Sequence, residues 1–326
     1  MWMWLWGCAT TTPTPDDTSG PGDTAVTAVS EVALRVATWN IEGLGAPGSE
    51  QYVAARQVLQ RIDADVVGLN EIAGGEEDAL VSFAADLGYQ VVQPRTNPFG
   101  SSHNAVLSRL GVEQSAFPSS AVLADDPSAN DITRWPVSVA VEAPWGEVVA
   151  ITTQHCKAGF DLDDAFRRTL DTRRLGQAAQ RVPADRTVAM GDLNADLAEL
   201  QSEPPSPSRW TFPPGGLPPE LVIGDDVEAI LGGEGLPNDP FVLLDGFGLT
   251  VVDAVQPDGR SASRDSGRLI DYVLVGDGLR ASASEIFDSR DESFDDGITK
   301  AGEPLERPVS RLASDHFPVV VDLRPE

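Results

Sequence analysis

Three observations predict a fold that mixes α-helices and β-strands within one domain. Short apolar runs of β character alternate with amphipathic helical stretches from Leu34 onward, no internal repeat is present, and strand candidates outnumber helix candidates. The chain has 326 residues, enough to bury a large core without disulfides. Its 41% hydrophobic and 23% charged content excludes general disorder and collagen-like structure.

Arg35-Val36-Ala37-Thr38-Trp39-Asn40 reads as the first strand, apolar until its polar end. Residues 51–62 follow as a helix, because Val53, Ala54, Val58, Leu59 and Ile62 lie near one face. Residues 65–71 form a buried strand that ends in an acid. Leu80, Phe83, Ala84 and Leu87 keep the i, i+3, i+4, i+7 spacing of a second helix, closed by Gly88. Strand candidates resume at 89–92, 104–108, 137–141, 148–153, 187–190, 250–253, 269–275 and 318–323. Residues 166–182 make the third helix, in which Arg167, Arg168, Arg173, Arg174 and Arg181 interleave with Phe166, Leu170, Leu175 and Ala178. Its arginines read first as a solvated face, with substrate contact left open.

Lys+Arg is 23 against Asp+Glu 51, a formal net charge of -28, and Lys157 and Lys300 are the only lysines. A passive polyanion-binding module is thereby excluded, since such modules carry clustered basic residues. Contact with a phosphate polyanion calls for a divalent cation instead. No apolar run reaches the roughly 18 to 20 residues of a membrane-spanning helix. Residues 1–8 are apolar, and Leu5-Trp6-Gly7-Cys8 resembles a bacterial lipobox, in which cleavage exposes a cysteine for lipidation. That resemblance points to the cell envelope or the extracellular space, with a membrane tether through Cys8. Residues 9–32, rich in Thr, Pro, Asp, Gly and Ser, read as a flexible tether. Residues 33–326 form the folded domain, with an irregular insertion at about 196–243 full of Pro, Gly and acids. The only other cysteine is Cys156, so no disulfide framework is expected.

Polar residues recur at the ends of apolar strands: Asn40, Glu71 and His155, then Asp192 and Asn194, Asp271, and Asp315-His316. Strand ends bring side chains to a common rim, and two of the chain's three histidines are in this set. Taken singly, Asn40 and Asn194 also read as turn formers, Glu71 and Asp315 as solvated strand ends, and His155 as a packed histidine. Asp271 resists such a reading, because an unpaired charge inside Leu269-Ile270-Asp271-Tyr272-Val273 is costly to bury. His103, after Gly100-Ser101-Ser102, reads as a surface residue.

Thr38-Trp39-Asn40, Leu69-Asn70-Glu71-Ile72, Asn104 to Arg109, Gln154-His155-Cys156-Lys157, Gly191-Asp192-Leu193-Asn194, Ile270-Asp271-Tyr272 and Ser314 to Pro318 together resemble the endonuclease/exonuclease/phosphatase superfamily, the deoxyribonuclease I-like group. The resemblance runs from about Leu34 to Leu323; Asn70 stands where Gln is usual, and Cys156 where Leu is common. It implies an α/β four-layer sandwich, two mixed β-sheets packed face to face with helices outside, in a single catalytic domain. It also implies hydrolysis of phosphate esters with a bound Mg²⁺, Mn²⁺ or Ca²⁺ held by Glu71, Asn40 and Asp315, a hard oxygen set suited to such ions. Asp192 would orient or deprotonate the attacking water, and Asn194 would hold a phosphate oxygen or the nucleophile. His316 would be oriented by Asp271, and His155 would donate to a phosphate or leaving oxygen. Lys157 and Asn104 would meet the substrate, while Arg134 would either clamp a phosphate or form a structural salt bridge.

Motifs of this kind are shared by nucleases, lipid phosphodiesterases and phosphomonoesterases, so they do not select the leaving group. A sphingomyelinase-like enzyme would need an exposed aromatic hairpin, for which the insertion offers Trp210 and Phe212; an inositol-phosphatase-like one would need a basic grip, for which Arg173-Arg174 is the candidate. The leading expectation is a secreted or surface-anchored nuclease acting on DNA or RNA. The alternatives are a lipid or sugar phosphatase or phosphodiesterase, and a noncatalytic lipoprotein using the fold for binding. No protein partner is expected, and the chain is expected to be monomeric.

Overall fold

The structure is a computed structural model that describes residues 32–94, 102–294 and 297–326. The lipobox and nearly all of the tether lie outside the described residues.

Two mixed six-stranded sheets dominate. The first runs in the order β13 (Leu279–Ile286), β14 (Val319–Pro325), β1 (Leu34–Asn40), β2 (Val66–Ala73), β4 (Ser102–Ser108), β3 (Gln90–Val92). The second runs β11 (Thr250–Val251), β12 (Asp271–Val275), β8 (Arg186–Asp192), β7 (Val148–Thr153), β6 (Val137–Glu142), β5 (Val112–Ala116). Each sheet has one parallel pair at its centre, β1 with β2 and β7 with β8, and antiparallel neighbours on either side. A parallel pair needs a crossover, here α1 (Glu50–Ile62) in the first sheet and α4 (Leu162–Ala179) in the second. Both crossovers leave the carboxyl ends of their strands at the same end of the molecule, where open α/β sheets place ligands.

Alternation along the strands sorts side chains into layers. Val36, Val66, Val106, Val139, Ile151, Val188, Met190 and Val273 face the other sheet and fill the space between the two. Ala37, Trp39, Val67, Leu69 and Leu107 point outward, under Val58, Leu59 and Ile62 of α1 and Leu80 and Phe83 of α2 (Glu77–Asp86). Strands buried on both faces read as nearly continuous apolar runs, which is why these were legible in sequence.

Three expectations are corrected. The stretch at 196–243 is not irregular throughout. It holds α5 (Leu197–Ser202), α6 (Asp225–Leu231), α7 (Pro240–Asp245) and a ribbon of β9 (Arg209–Trp210) with β10 (Leu236–Pro237), each too short to show a period. Its Trp210, Val227, Leu231, Leu236 and Leu243 pack on Phe166 and Leu170 of α4. That cover removes Arg174 from the solvated face assigned to it. Arg174 is 0% exposed and forms paired hydrogen bonds to Asp131 at 2.9 and 2.6 Å, with Asp226 also 2.9 Å away. His103, read as a surface residue, is buried in β4 with Nε2 3.3 Å from Glu77 Oε1. β5 and β13 had no signal of their own, since both lie toward sheet edges and alternate small or polar residues. Among the described residues the remaining α-helices are the short α3 (Ser120–Ala124) and α8 (Val309–Ala313).

Gly68 of β2 sets how closely the sheets approach at the end where the polar residues gather. A Cβ there would lie 2.7 Å from both Met190 Cε and Thr153 Oγ1 of the opposite sheet. Gly68→Ala is therefore expected to cost about 1–3 kcal/mol by overpacking. Urea unfolding with an unchanged midpoint would show that the sheets have slack there.

Candidate active site

Asn40 ends β1, Asp192 ends β8, Asp271 opens β12, and His155 and His316 follow β7 and precede β14, so sheet order alone brings them to one rim. Glu71 reaches the rim by a different device. The pairing of β2 with β4 slips between Leu69 and Ile72, and Glu71 takes a positive φ of 61° in that bulge, a re-aiming of one side chain that a regular strand does not allow.

The two sheets are tied together at this end by amide side chains. Asn70 Oδ1 accepts the Asp192 N–H at 3.0 Å, Asn70 Nδ2 lies 3.3 Å from Thr153 Oγ1, and Asn40 Nδ2 donates to Asp192 Oδ2 at 3.1 Å. Asp192 Oδ1 accepts the backbone N–H of Asn194 at 2.8 Å, which holds Asn194 at a positive φ of 51°. Asn194 Nδ2 donates to the Cys156 carbonyl at 3.0 Å. His316 Nδ1 lies 2.8 Å from Asp271 Oδ2, and the same oxygen accepts the Ser263 hydroxyl at 2.7 Å. The far nitrogen, Nε2, faces Asp192 Oδ2 at 3.9 Å and Asp315 Oδ1 at 3.6 Å. His155 bridges the two sheets, Nε2 lying 3.5 Å from Asp192 Oδ2 and Nδ1 3.5 Å from Glu71 Oε1.

Burial and charge divide the titrating groups. Burial resists protonation of His316, but the charge and hydrogen bond of Asp271, aided by Asp192 and Asp315, overcome it and push the imidazole up to about 9. Burial, then the neighbouring Asp271 carboxylate, holds Asp192 well above the usual carboxylate range. His155 moves the other way, held well below its ordinary value by burial and then by the Arg134 charge. At neutral pH the site therefore pairs a cationic His316 with a neutral His155.

Asn40, Glu71, His155, Asp192, Asn194, Asp271, Asp315 and His316 are thus brought together. Among the histidine, cysteine and carboxylate side chains of the described residues, Asp192, Asp271 and His316 bring ligand-capable atoms within 4.8 Å of one another. The expected substrate contacts fare differently. Lys157 Nζ, in the loop before α4, is engaged by Asp164 of that helix at 2.5 Å. Asn104 lies one layer back, with Oδ1 accepting from Asn70 at 2.9 Å and Nδ2 donating to the Trp135 carbonyl at 2.9 Å. Arg134 makes no ion pair among the described residues; its Nε donates to Ser102 at 3.1 Å and its Nη1 is buried without a partner, which leaves the phosphate-clamp alternative standing. Sequence reading missed Ser263, which fixes Asp271, and Arg264, whose Nε and Nη2 grip Asp315 Oδ2 at 2.9 and 2.7 Å. Neither carried a signal, because only an isolated bridge between Arg264 and His316 brings that loop here.

The sequence profile of the Endonuclease/Exonuclease/phosphatase family matches residues 37–316, and the chain belongs to that family, one of phosphoesterase hydrolases that depend on a divalent metal. No curated protein matches the chain in sequence. Among solved structures, an endonuclease/exonuclease/phosphatase from Beutenbergia cavernae is similar at 20% identity and TM-score 0.53, with 90% of this chain and 72% of that one covered. The 3' phosphatase NExo from Neisseria, bound to a product DNA hairpin, is similar at 18% identity and TM-score 0.54, covering 90% of this chain and 100% of that one. D. rerio TDP2 complexed with a single-strand DNA product shows 14% identity and TM-score 0.54, covering 90% and 99%. At these identities the likeness shows the fold.

In chelator-treated protein, an NMR titration of His316 is expected to give a midpoint near 9, and Asp271→Asn to bring it down by several tenths of a unit or more. Because the folded value lies above the ordinary 6.5, this pair's stabilisation is full below about pH 6.5 and is lost as pH rises through about 9. A His316 midpoint at or below 6.5 in the unaltered protein would contradict the pairing.

Proposed function

We propose that the chain is a divalent-metal-dependent phosphodiester hydrolase acting on nucleic acid. The observation that carries this reading is the convergence of Asp192, His155 and the His316–Asp271 pair with the carboxylates of Glu71 and Asp315 on one rim. The likeness to structures holding DNA products supports nucleic acid over lipid or sugar phosphates.

The residues suit a hard cation such as Mg²⁺. The donors at the rim are carboxylate and amide oxygens, the Glu71 and Asp315 carboxylates are partly open to solvent, and Asp271 Oδ1 is buried with no partner. Glu71, Asn40 and Asp315 would hold the ion, which when bound supplies a Lewis acid that neutralises charge on a phosphoryl oxygen. Asp192, held by Asn40 and the Asn194 N–H and with its proton affinity raised, orients an attacking water and takes its proton. His316, cationic below about pH 9 and aligned by Asp271, presents Nε2 to the negative charge that develops at phosphorus or on the leaving oxygen. Neutral His155 donates one N–H to a phosphoryl oxygen, with Arg134 adding charge from behind it.

Plasmid DNA and bis(p-nitrophenyl) phosphate, each with Mg²⁺ or Mn²⁺ and with a chelator, test this. Metal-dependent cleavage is expected, falling about 10²–10⁴-fold in His316→Ala and in Asp192→Asn with the circular dichroism spectrum retained. Unchanged turnover in both variants would remove the site assignment. Cleavage of the small diester without DNA would move the substrate to lipid or small phosphoesters, and cleavage of neither would favour a phosphomonoesterase or a binding protein.

Leu5-Trp6-Gly7-Cys8 supports attachment to the cell envelope through a lipidated Cys8. On expression in a bacterial host, the protein is expected in the membrane fraction, and Cys8→Ser is expected to release it; equal partition of the two would exclude the anchor.

A further inference from the structure

Asn194, at the edge of the catalytic cluster, also lines an open cleft of about 590 Å³ that leads away from it between the 157–161 loop, α5 and Arg268. A space of this size accommodates a nucleotide-sized group. Two of its features are unexplained by the fold.

The first is Phe160, 87% exposed and the most exposed large apolar side chain among the described residues. An exposed phenylalanine on a loose loop needs no account, but this loop is clamped from several sides. Buried Asp171 accepts the Lys157 N–H at 2.8 Å, and Arg168 Nη1 donates to the Lys157 and Gly159 carbonyls at 3.1 and 2.9 Å. Gly159, at φ 115°, has no room for a Cβ beside Asp164. The backbone that carries the ring is thus held, and the ring lines the cleft with the Arg268 guanidinium carbon 5.4 Å from its centroid.

The second is Arg168. Its Nε and Nη2 have no protein acceptor and it makes no ion pair among the described residues, although burial holds its pKa below the ordinary arginine value. Asp164 and Asp171 act on its charge from a distance but neither bonds to it, which leaves those nitrogens free to meet an anion. The cleft wall carries four acids, Asp161, Asp196, Glu199 and Glu203, and none of them pairs with Arg168. Asp161 and Asp196 cap α4 and α5 by accepting backbone N–H groups at 2.8 to 3.2 Å, and Glu199 pairs with Arg268 at 2.8 Å.

We infer that this cleft is a nucleotide subsite beside the scissile phosphate, in which an unstacked base lies on Phe160 and Arg268 and the neighbouring phosphate is held by Arg168. It rests on the nucleic-acid reading above and narrows it. A base is free to stack on a side chain only when it has left the duplex, so the substrate is single-stranded nucleic acid or a frayed end.

Steady-state kinetics of the full chain with Mg²⁺ test the subsite, on a short single-stranded DNA oligonucleotide and on bis(p-nitrophenyl) phosphate, which has no neighbouring nucleotide. Phe160→Ala and Arg168→Gln are each expected to raise KM for the oligonucleotide about tenfold, and to lower the ratio of its kcat/KM to that of the small diester by a similar factor. Because Arg168 also ties the loop, Phe160→Trp provides a second variant at the solvent-facing position and is expected to restore the oligonucleotide KM. An unchanged oligonucleotide KM in Phe160→Ala, or equal losses on both substrates, overturns the subsite and leaves the nuclease reading in place. A wild-type enzyme that cleaves the small diester but no oligonucleotide overturns both.

Discussion

Everything at the rim depends on two sheets meeting closely at one end. Gly68 leaves room for Met190 and Thr153 of the facing sheet, and with that spacing the side chains of Asn40 and Asn70 reach Asp192 across the gap. These bonds are buried, so each removes an orphaned polar group as well as joining the sheets. A wider separation would strand Asp192 alone and would part His155 and Asp192, on the second sheet, from Glu71 and His316, on the first. The geometry of the site is therefore a consequence of sheet packing rather than of any one loop.

The electrostatics follow from the same closeness. Glu71, Asp192, Asp271 and Asp315 converge, and among the described residues the cationic groups paired with them are the imidazoles and Arg264. Burial and the Asp271 charge raise Asp192, and the same carboxylates, against the cost of burial, raise His316 by attracting its positive charge. A bound cation relieves the repulsion between the carboxylates. It is also what a chain of net charge -28 needs in order to meet a phosphate ester, since the long-range field opposes approach and only local positive charge can reverse it.

The 196–243 segment shapes what lies next to the rim. Its apolar residues bury one face of α4, and the Arg174 ion pairs to Asp131 and Asp226 join that helix to the segment and to the loop that carries Arg134. Asp171, on the same helix, holds the backbone of Thr133 at 2.7 Å and of Lys157 at 2.8 Å, so both loops flanking His155 refer back to α4. A helix that reads in sequence as a basic surface is in the structure a strut for the substrate side of the site.

How much was legible follows from physical scale. The sequence by itself determined the mixed class, the central strands and the polar residues that end them, because strands buried on both faces are apolar without interruption and an acid such as Asp271 stands out against them. Edge strands such as β5, solvated on one side, and the short helices of 196–243 fall below the length at which a period shows. Only the tertiary structure decided which polar groups meet. Asp271 faces His316 from 45 residues away, and Asn40 meets Asp192 across 152. It also turned Lys157 toward Asp164, buried His103 and Arg174, and brought Ser263 and Arg264 to the site. Partner choice depends on distances between chain segments that no local spacing encodes, whereas hydrophobic pattern is set residue by residue, so the first waits on the packed sheets and the second does not.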